Sequence, residues 1–196
     1  ENIDEAKETK EEVKAEVKQE VKTEEPVKTS KADYDLIVVG GGPAGYYGAI
    51  RAAQLGAKVL VVEKSIVGGT CLNRGCIPTK TYLKNAEIIE NIALAKKRGI
   101  VLENENFTID MGRTVEVKNE VVKTLTNGVK GLLKSYGVDV VTGVGSVNKD
   151  KEVFVGDKKY TGDKIMIATG SKVGKINIKG IDSKLVLNSD EILDLR

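Results

Sequence analysis

No histidine and no tryptophan occur among the 196 residues, and there are only two cysteines and three prolines. Without histidine the chain can build no Ser-His-Asp triad, no Cys-His pair and no imidazole proton shuttle of its own. Two cysteines cannot close a four-coordinate structural zinc site, so no metal site is expected and any thiol chemistry would be redox chemistry. Aromatic residues make up 4% of the chain, too few to stack the bases of a nucleic acid. No apolar run approaches the roughly 20 residues that span a bilayer, and the first residues lack the apolar stretch of a signal peptide. A cytoplasmic protein with neither nucleic-acid nor membrane partners is the expectation.

What is present is unevenly spread. Residues 1–33 hold 7 lysines against 11 acidic residues, leaving 24 basic against 18 acidic side chains from residue 34 onward. A loose four-residue unit recurs as Glu12-Val13-Lys14-Ala15, Glu16-Val17-Lys18-Gln19 and Glu20-Val21-Lys22-Thr23. Wound into a helix, that period would stack like charges four residues apart behind one thin valine row. Residues 1–33 therefore read as a charged, disordered, flexible linker. The first residue is Glu1 rather than methionine, which suggests a piece of a longer chain.

From Tyr34 the pattern changes to that of an α/β fold. Tyr34–Val39 is a β-branched run typical of a buried parallel strand, Pro43 to about Leu55 is helical, Gly56 is a stop signal, and Lys58–Glu63 is a second buried strand. Together they form a βαβ unit. Further on, Thr79–Lys97 and about Met111–Tyr136 read as helices, the latter with possible breaks at Gly128 and Gly131. Val138–Val147 and Val153–Tyr160 read as strands with polar turns, Lys164–Thr169 reads as another buried strand, and a last helix begins with Ser189 as N-cap.

Between the first strand and helix stands Gly40-x-Gly42-x-x-Gly45, with Glu63 closing the next strand. Gly40 allows the tight turn, Gly42 lets backbone approach a pyrophosphate, and Gly45 lets the helix pack closely on the strand. The helix N-terminus offers unpaired N–H groups to phosphate, and Glu63 can accept hydrogen bonds from a ribose diol. This geometry recognises the adenosine diphosphate half that NAD and FAD share.

The second motif is Gly68-Gly69-Thr70-Cys71-Leu72-Asn73-Arg74-Gly75-Cys76-Ile77-Pro78-Thr79-Lys80. In a regular helix, cysteines five apart would lie on different faces beyond the roughly 7 Å Cα separation of a disulfide, so a loop or distorted turn is required, and Gly75 permits it. Pro78 suits the first turn of a following helix, whose dipole, with Lys80, would favour a thiolate at Cys76. A structural bridge and two unrelated thiols are the other readings; neither accounts for the flanking glycines and proline.

This segment, directly after a strand-glycine-helix-strand-Glu unit, resembles that of the FAD-dependent pyridine nucleotide-disulfide oxidoreductases. The Cys-Leu-Asn-x-Gly-Cys-Ile-Pro-x-Lys form is that of the branch oxidising protein-bound dihydrolipoamide, whereas glutathione and mercuric reductases more usually have valines near the cysteines. The resemblance implies a Rossmann-like FAD-binding domain over residues 34–196, with a central parallel sheet and added antiparallel strands. It makes Cys71 the thiol that exchanges with substrate and Cys76 the thiol beside the flavin. The implied FAD contacts are Gly40, Gly42, Pro43, Ala44, Gly45, Glu63, Lys64, Gly69, Thr70, Lys80, Gly145 and the run Ala168-Thr169-Gly170-Ser171. One departure is visible, since Lys172–Asp182 lacks the prolines usual after that run.

Complete members of the family also carry a second glycine motif for NAD and an interface domain with a His-Glu pair acting across a homodimer. Neither is in this sequence, so the chain is expected to be an N-terminal portion without full turnover alone. The expected partners of the whole are lipoyl domains of 2-oxoacid dehydrogenase or glycine cleavage complexes, and residues 1–33 resemble the tethers that follow such domains. A reductase of the glutathione or mercuric type, or a non-catalytic FAD-binding or assembly module, would share these motifs.

Overall fold

The computed structural model describes residues 31–196, apart from Glu105 and Lys175. Residues 1–30 of the linker expected over residues 1–33 lie outside the described residues. The elements run β1 (Tyr34–Val39), α1 (Pro43–Gln54), β2 (Val59–Glu63), α2 (Gly69–Arg74), α3 (Cys76–Ala95), a single 3-10 turn (Lys96–Arg98), α4 (Met111–Ser135), β3 (Asp139–Thr142), β4 (Gly145–Val147), β5 (Glu152–Val155), β6 (Lys158–Ile167) and α5 (Ser189–Ile192).

The strands form one sheet in the order β3-β2-β1-β6-β5-β4. The β3-β2-β1-β6 half is parallel, while β4 and β5 continue antiparallel from β6. Both faces of the parallel half are covered, which is why its strands are near-continuous apolar runs rather than alternating ones. Val38, Val59 and Val61 point to one side, against Ala49 of α1 and Val129 and Leu133 of α4. Ile37, Val39, Leu60 and Val62 point to the other, against Val153 of β5 and the half-buried Tyr160 and Ile165 of β6. The period-two alternation of a strand thus feeds two separate cores. The antiparallel strands occupy the face where helices would otherwise be needed.

Three expectations are corrected. The runs Val153–Tyr160 and Lys164–Thr169 divide differently, with Tyr160 and Lys164 in the same strand. A two-residue turn at Gly156-Asp157 ends β5, and β6 then continues to Ile167, pairing with β5 through Lys158–Thr161 and with β1 from Gly162 on. The helix α4 passes through Gly128 and Gly131 without a break, because its buried stripe of Val115, Thr126, Val129 and Leu133 holds it against the rest of the fold on both sides of them. The last helix is capped by Asn188 rather than Ser189. The Asn188 side chain accepts from the N–H groups of Asp190 and Glu191 while Glu191 accepts from the Asn188 N–H, forming a capping box.

Candidate functional site

At β1 the strand order reverses, since its two neighbours, β2 and β6, are reached by connections that leave in opposite directions. The crevice beyond the C-terminal ends of β1 and β6 is where open α/β sheets bind ligands. Here that crevice is filled by the glycine turn. The Gly40 N–H donates to the Val62 carbonyl at 2.8 Å, and Gly40 adopts φ +108. A Cβ there would fall 2.2 Å from the Ala168 carbonyl oxygen, and one on Gly45 would fall 1.8 Å from the Gly40 oxygen. Both glycines are therefore demanded by the fold itself. Gly42 differs, because an added Cβ would meet only the Gly69 Cα, at the ordinary contact distance of 3.6 Å. Pro43 opens α1 as its first residue, where its missing N–H costs nothing.

Glu63 ends β2 and is buried, yet both carboxylate oxygens are used. Oε2 accepts from the Gly41 N–H at 2.7 Å and Oε1 from the Ser65 N–H at 3.0 Å. Bonds of this kind to an ionised acceptor are stronger than neutral ones and make a buried carboxylate tolerable. The acid therefore holds the glycine turn closed, a structural duty beyond any contact with a ribose.

The cysteine segment is pinned to the same turn. The Gly68 N–H donates to the Gly41 carbonyl at 2.8 Å. Gly69 lies at φ +57, and a Cβ on it would sit 2.6 Å from the Gly42 Cα, so only glycine allows these two backbones to touch. Cys71 stands in the six-residue α2, and Cys76 is the first residue of α3. Gly75 separates the helices and lies so close to α2 that a Cβ would be 3.0 Å from the Thr70 oxygen. This is the distortion that the spacing of the cysteines calls for.

Cys71 is half-buried and Cys76 exposed, both as free thiols. The hydrogen bond between the two thiols, then burial, push the Cys71 thiol above its ordinary range, against an opposing pull from the Lys80 ammonium. Cys71 is thereby kept a thiol until base or a partner disturbs the pair.

Glycine turn and cysteines line one cavity of about 770 Å³, within the range of small-molecule sites. Its walls include Gly40, Gly42, Pro43 and Ala44, then Glu63 and Lys64, then Gly69, Thr70, Cys71 and Cys76, and finally Ala168, Thr169, Gly170 and Ser171. Three residues expected at the site lie outside this lining. Gly45 packs α1 on the turn, Lys80 acts on Cys71 from a turn further along α3, and Gly145 begins β4 against Val39 and Val62. Ser65, Ile66, Asn73, Arg74 and Gly75 also line the cavity. Of these only Gly75 had a signal in its own right, as the hinge between the cysteines. Among the described residues no group of three or more His, Cys, Asp or Glu side chains could hold a metal, and no helix is long and apolar enough to cross a membrane.

Comparison with known proteins agrees with this geometry. The profile of a family described as "Pyridine nucleotide-disulphide oxidoreductase" matches residues 34–195. A dihydrolipoyl dehydrogenase from Acholeplasma laidlawii is 44% identical over 168 residues, covering 84% of this chain and 50% of that protein. One from Bacillus subtilis is 45% identical over 167 residues, covering 83% of this chain and 35% of its own length. A dihydrolipoamide dehydrogenase from Chaetomium thermophilum is 40% identical over 173 residues, covering 85% and 34%. The chain thus spans from about a third to half of the length of these relatives.

Proposed function

Since this chain belongs to the pyridine nucleotide-disulphide oxidoreductase family, we propose that residues 34–196 form its FAD-binding domain, that residues 1–33 are a tether, and that the whole protein oxidises protein-bound dihydrolipoamide at the expense of NAD. The observation that carries this reading is a single cavity lined by both the glycine turn and the two cysteines.

The residues present fit FAD. A Cβ on Gly42 would meet only the Gly69 Cα, at 3.6 Å, and both glycines line the cavity, so the fold tolerates alanine at Gly42 while a closely approaching pyrophosphate would not. Gly40, Gly42, Pro43 and Ala44 would hold the pyrophosphate with the free N–H groups of the first turn of α1. The Glu63 carboxylate, already accepting two N–H groups, keeps lone pairs for a ribose, with Lys64 beside it. Gly69, Thr70, Lys80, Gly145 and Ala168–Ser171 are assigned to the remaining contacts. Bound FAD supplies two-electron transfer between a dithiol and a nicotinamide.

The chain's own residues handle the sulfur exchange. With Cys71 and Cys76 joined as a disulfide, one substrate thiolate attacks the Cys71 sulfur and Cys76 leaves as a thiolate. The second substrate thiolate then displaces Cys71, so the substrate becomes a disulfide and the pair a dithiol. Helix α3 begins at Cys76, which places the leaving sulfur at the helix N-terminus. The proposed partners are lipoyl domains of 2-oxoacid dehydrogenase or glycine cleavage complexes, with the whole protein a homodimer. A cytoplasmic setting suits a dithiol that must be free to cycle.

The test is to reconstitute the chain with FAD, remove excess by gel filtration, and add dihydrolipoamide without oxygen. The parent should retain flavin absorbance and lose its oxidised band on adding the dithiol. Gly42→Ala should keep the same melting temperature without ligand and bind FAD at least about tenfold more weakly, a difference of some 1.4 kcal/mol. A parent that holds no FAD defeats the proposal. Bound flavin that dihydrolipoamide does not reduce but that, once reduced with dithionite, is reoxidised by glutathione disulfide or mercuric ion moves it to another branch, and indifference to all three moves it to a non-catalytic module.

A further inference from the structure

The helix that carries Cys71 has little to hold it. It is six residues long, its N-cap is Gly68, its C-cap is Gly75, and no side chain caps its start. Isolated helices of this length are unstable, so its position must be imposed from outside. Leu72 is its one buried residue. Arg74 pairs with Asp190 at the exposed end of the helix, and the side chain that ties the helix to the loop before it is Asn73.

The Asn73 amide nitrogen faces three backbone carbonyls, those of Gly69 at 2.9 Å and of Ile66 and Val67 at 3.4 Å. Three acceptors around one atom identify it as the NH2 group rather than the oxygen. The loop so gathered is the one whose Gly68 N–H bonds the Gly41 carbonyl, and Gly41 in turn donates to Glu63. A continuous chain of bonds therefore runs from Glu63 through Gly41 and Gly68 to Asn73, two residues from Cys71.

We infer that Asn73 is a positioning residue whose amide donors lock the 66–69 loop, and through it α2, so that Cys71 is presented to Cys76 beside the glycine turn. The inference rests on the redox reading of the cysteine pair. A disulfide is stabilised according to how closely folding confines its two sulfurs. Loosening α2 spreads the positions of Cys71 and makes the dithiol relatively more favourable.

Two variants of Asn73 separate donation from bulk. Asn73→Asp keeps the shape and turns an acceptor toward three acceptors, while Asn73→Leu keeps similar volume and removes the donors. Each is equilibrated, without flavin, against reduced and oxidised glutathione; the disulfide forms as one glutathione disulfide becomes two glutathione thiols. The expected result is an equilibrium moved toward the dithiol by about tenfold or more in both, with unchanged far-ultraviolet circular dichroism. Folded variants that stay within twofold of the parent overturn the inference.

If neither variant folds, the parent decides. The Asn73 side-chain NH2 should exchange with solvent at least about tenfold more slowly than that of the exposed Asn119, and equal rates overturn the inference. Because no flavin enters, a chain that fails to retain FAD defeats the proposed function and leaves the role of Asn73 standing, whereas a parent that forms no Cys71–Cys76 disulfide overturns both.

Discussion

At the scale of single residues, the Cys71 thiol shows how a neighbour sets reactivity. Its bond to the Cys76 sulfur favours the protonated form, so the raised thiol is a stability statement as well. The contribution is present below the ordinary thiol value of 9.0 and is lost as pH rises through the raised one. The same shift governs alkylation, which needs the thiolate. At pH 8, labelling of Cys71 by iodoacetamide should be slow in the parent. It should quicken in Cys76→Ala, by up to about tenfold for each unit of pKa removed, and slow further in Lys80→Met. Peptide mapping of the labelled sites checks this. Gly40, Gly45, Glu63 and the cysteines were legible in the sequence because fixed spacing carries their roles. Gly41 was not, because the Glu63 carboxylate it donates to is brought near only by the fold, and Asn73 was not, because no spacing rule marks a side-chain bond to the carbonyls just before it.

At the scale of elements, periodicity reported most helices and strands, and the errors have physical causes. The turn at Gly156-Asp157 agrees with the polar turns read within Val153–Tyr160, but the sequence pattern divides β6 in two because Gly162-Asp163 reads as a turn although the strand runs straight through it. The glycines in α4 were overread, since a helix with a continuous buried stripe tolerates two of them on its exposed side. A Cβ at Gly128 or Gly131 would meet nothing within 4 Å, and neither has positive φ. Gly128→Ala and Gly131→Ala should each stabilise the chain by about 0.5–1 kcal/mol, through lower entropy of the unfolded chain. Urea unfolding would show a higher midpoint at unchanged slope. Gly45→Ala, with 1.8 Å available, should instead disrupt the glycine turn.

At the scale of the whole described molecule, the C-terminal turn is held by side chains reaching out from three successive helices. Arg74 of α2 pairs with Asp190 at 3.0 Å, the Tyr82 hydroxyl of α3 donates to the Leu193 carbonyl, and Lys118 of α4 pairs with Asp194. Lys118 is almost wholly buried, its side chain 4% exposed, whereas that of Asp194 is 70% exposed. Asp194→Asn should leave that ammonium without its counter-charge and cost about 1–3 kcal/mol. Thermal melts should register a fall of roughly 2–4 °C per kcal/mol. The pair Lys118→Met with Asp194→Asn should recover most of the loss, since replacing a buried ion pair by apolar packing is often neutral.

The contact between Gly40 and the Ala168 carbonyl also bears on when the protein becomes competent. Gly40 is among the first described residues to leave a ribosome, and Ala168 among the last. The β1–β2 ladder can close early, but the floor of the cavity waits for β6, which must enter beside β1 after every other strand has been made. Sheets closed by such distant segments form slowly. A nascent chain therefore exposes both thiols well before it has a cavity in which to use them, and the order of synthesis leaves them open to unwanted oxidation until the last strand arrives.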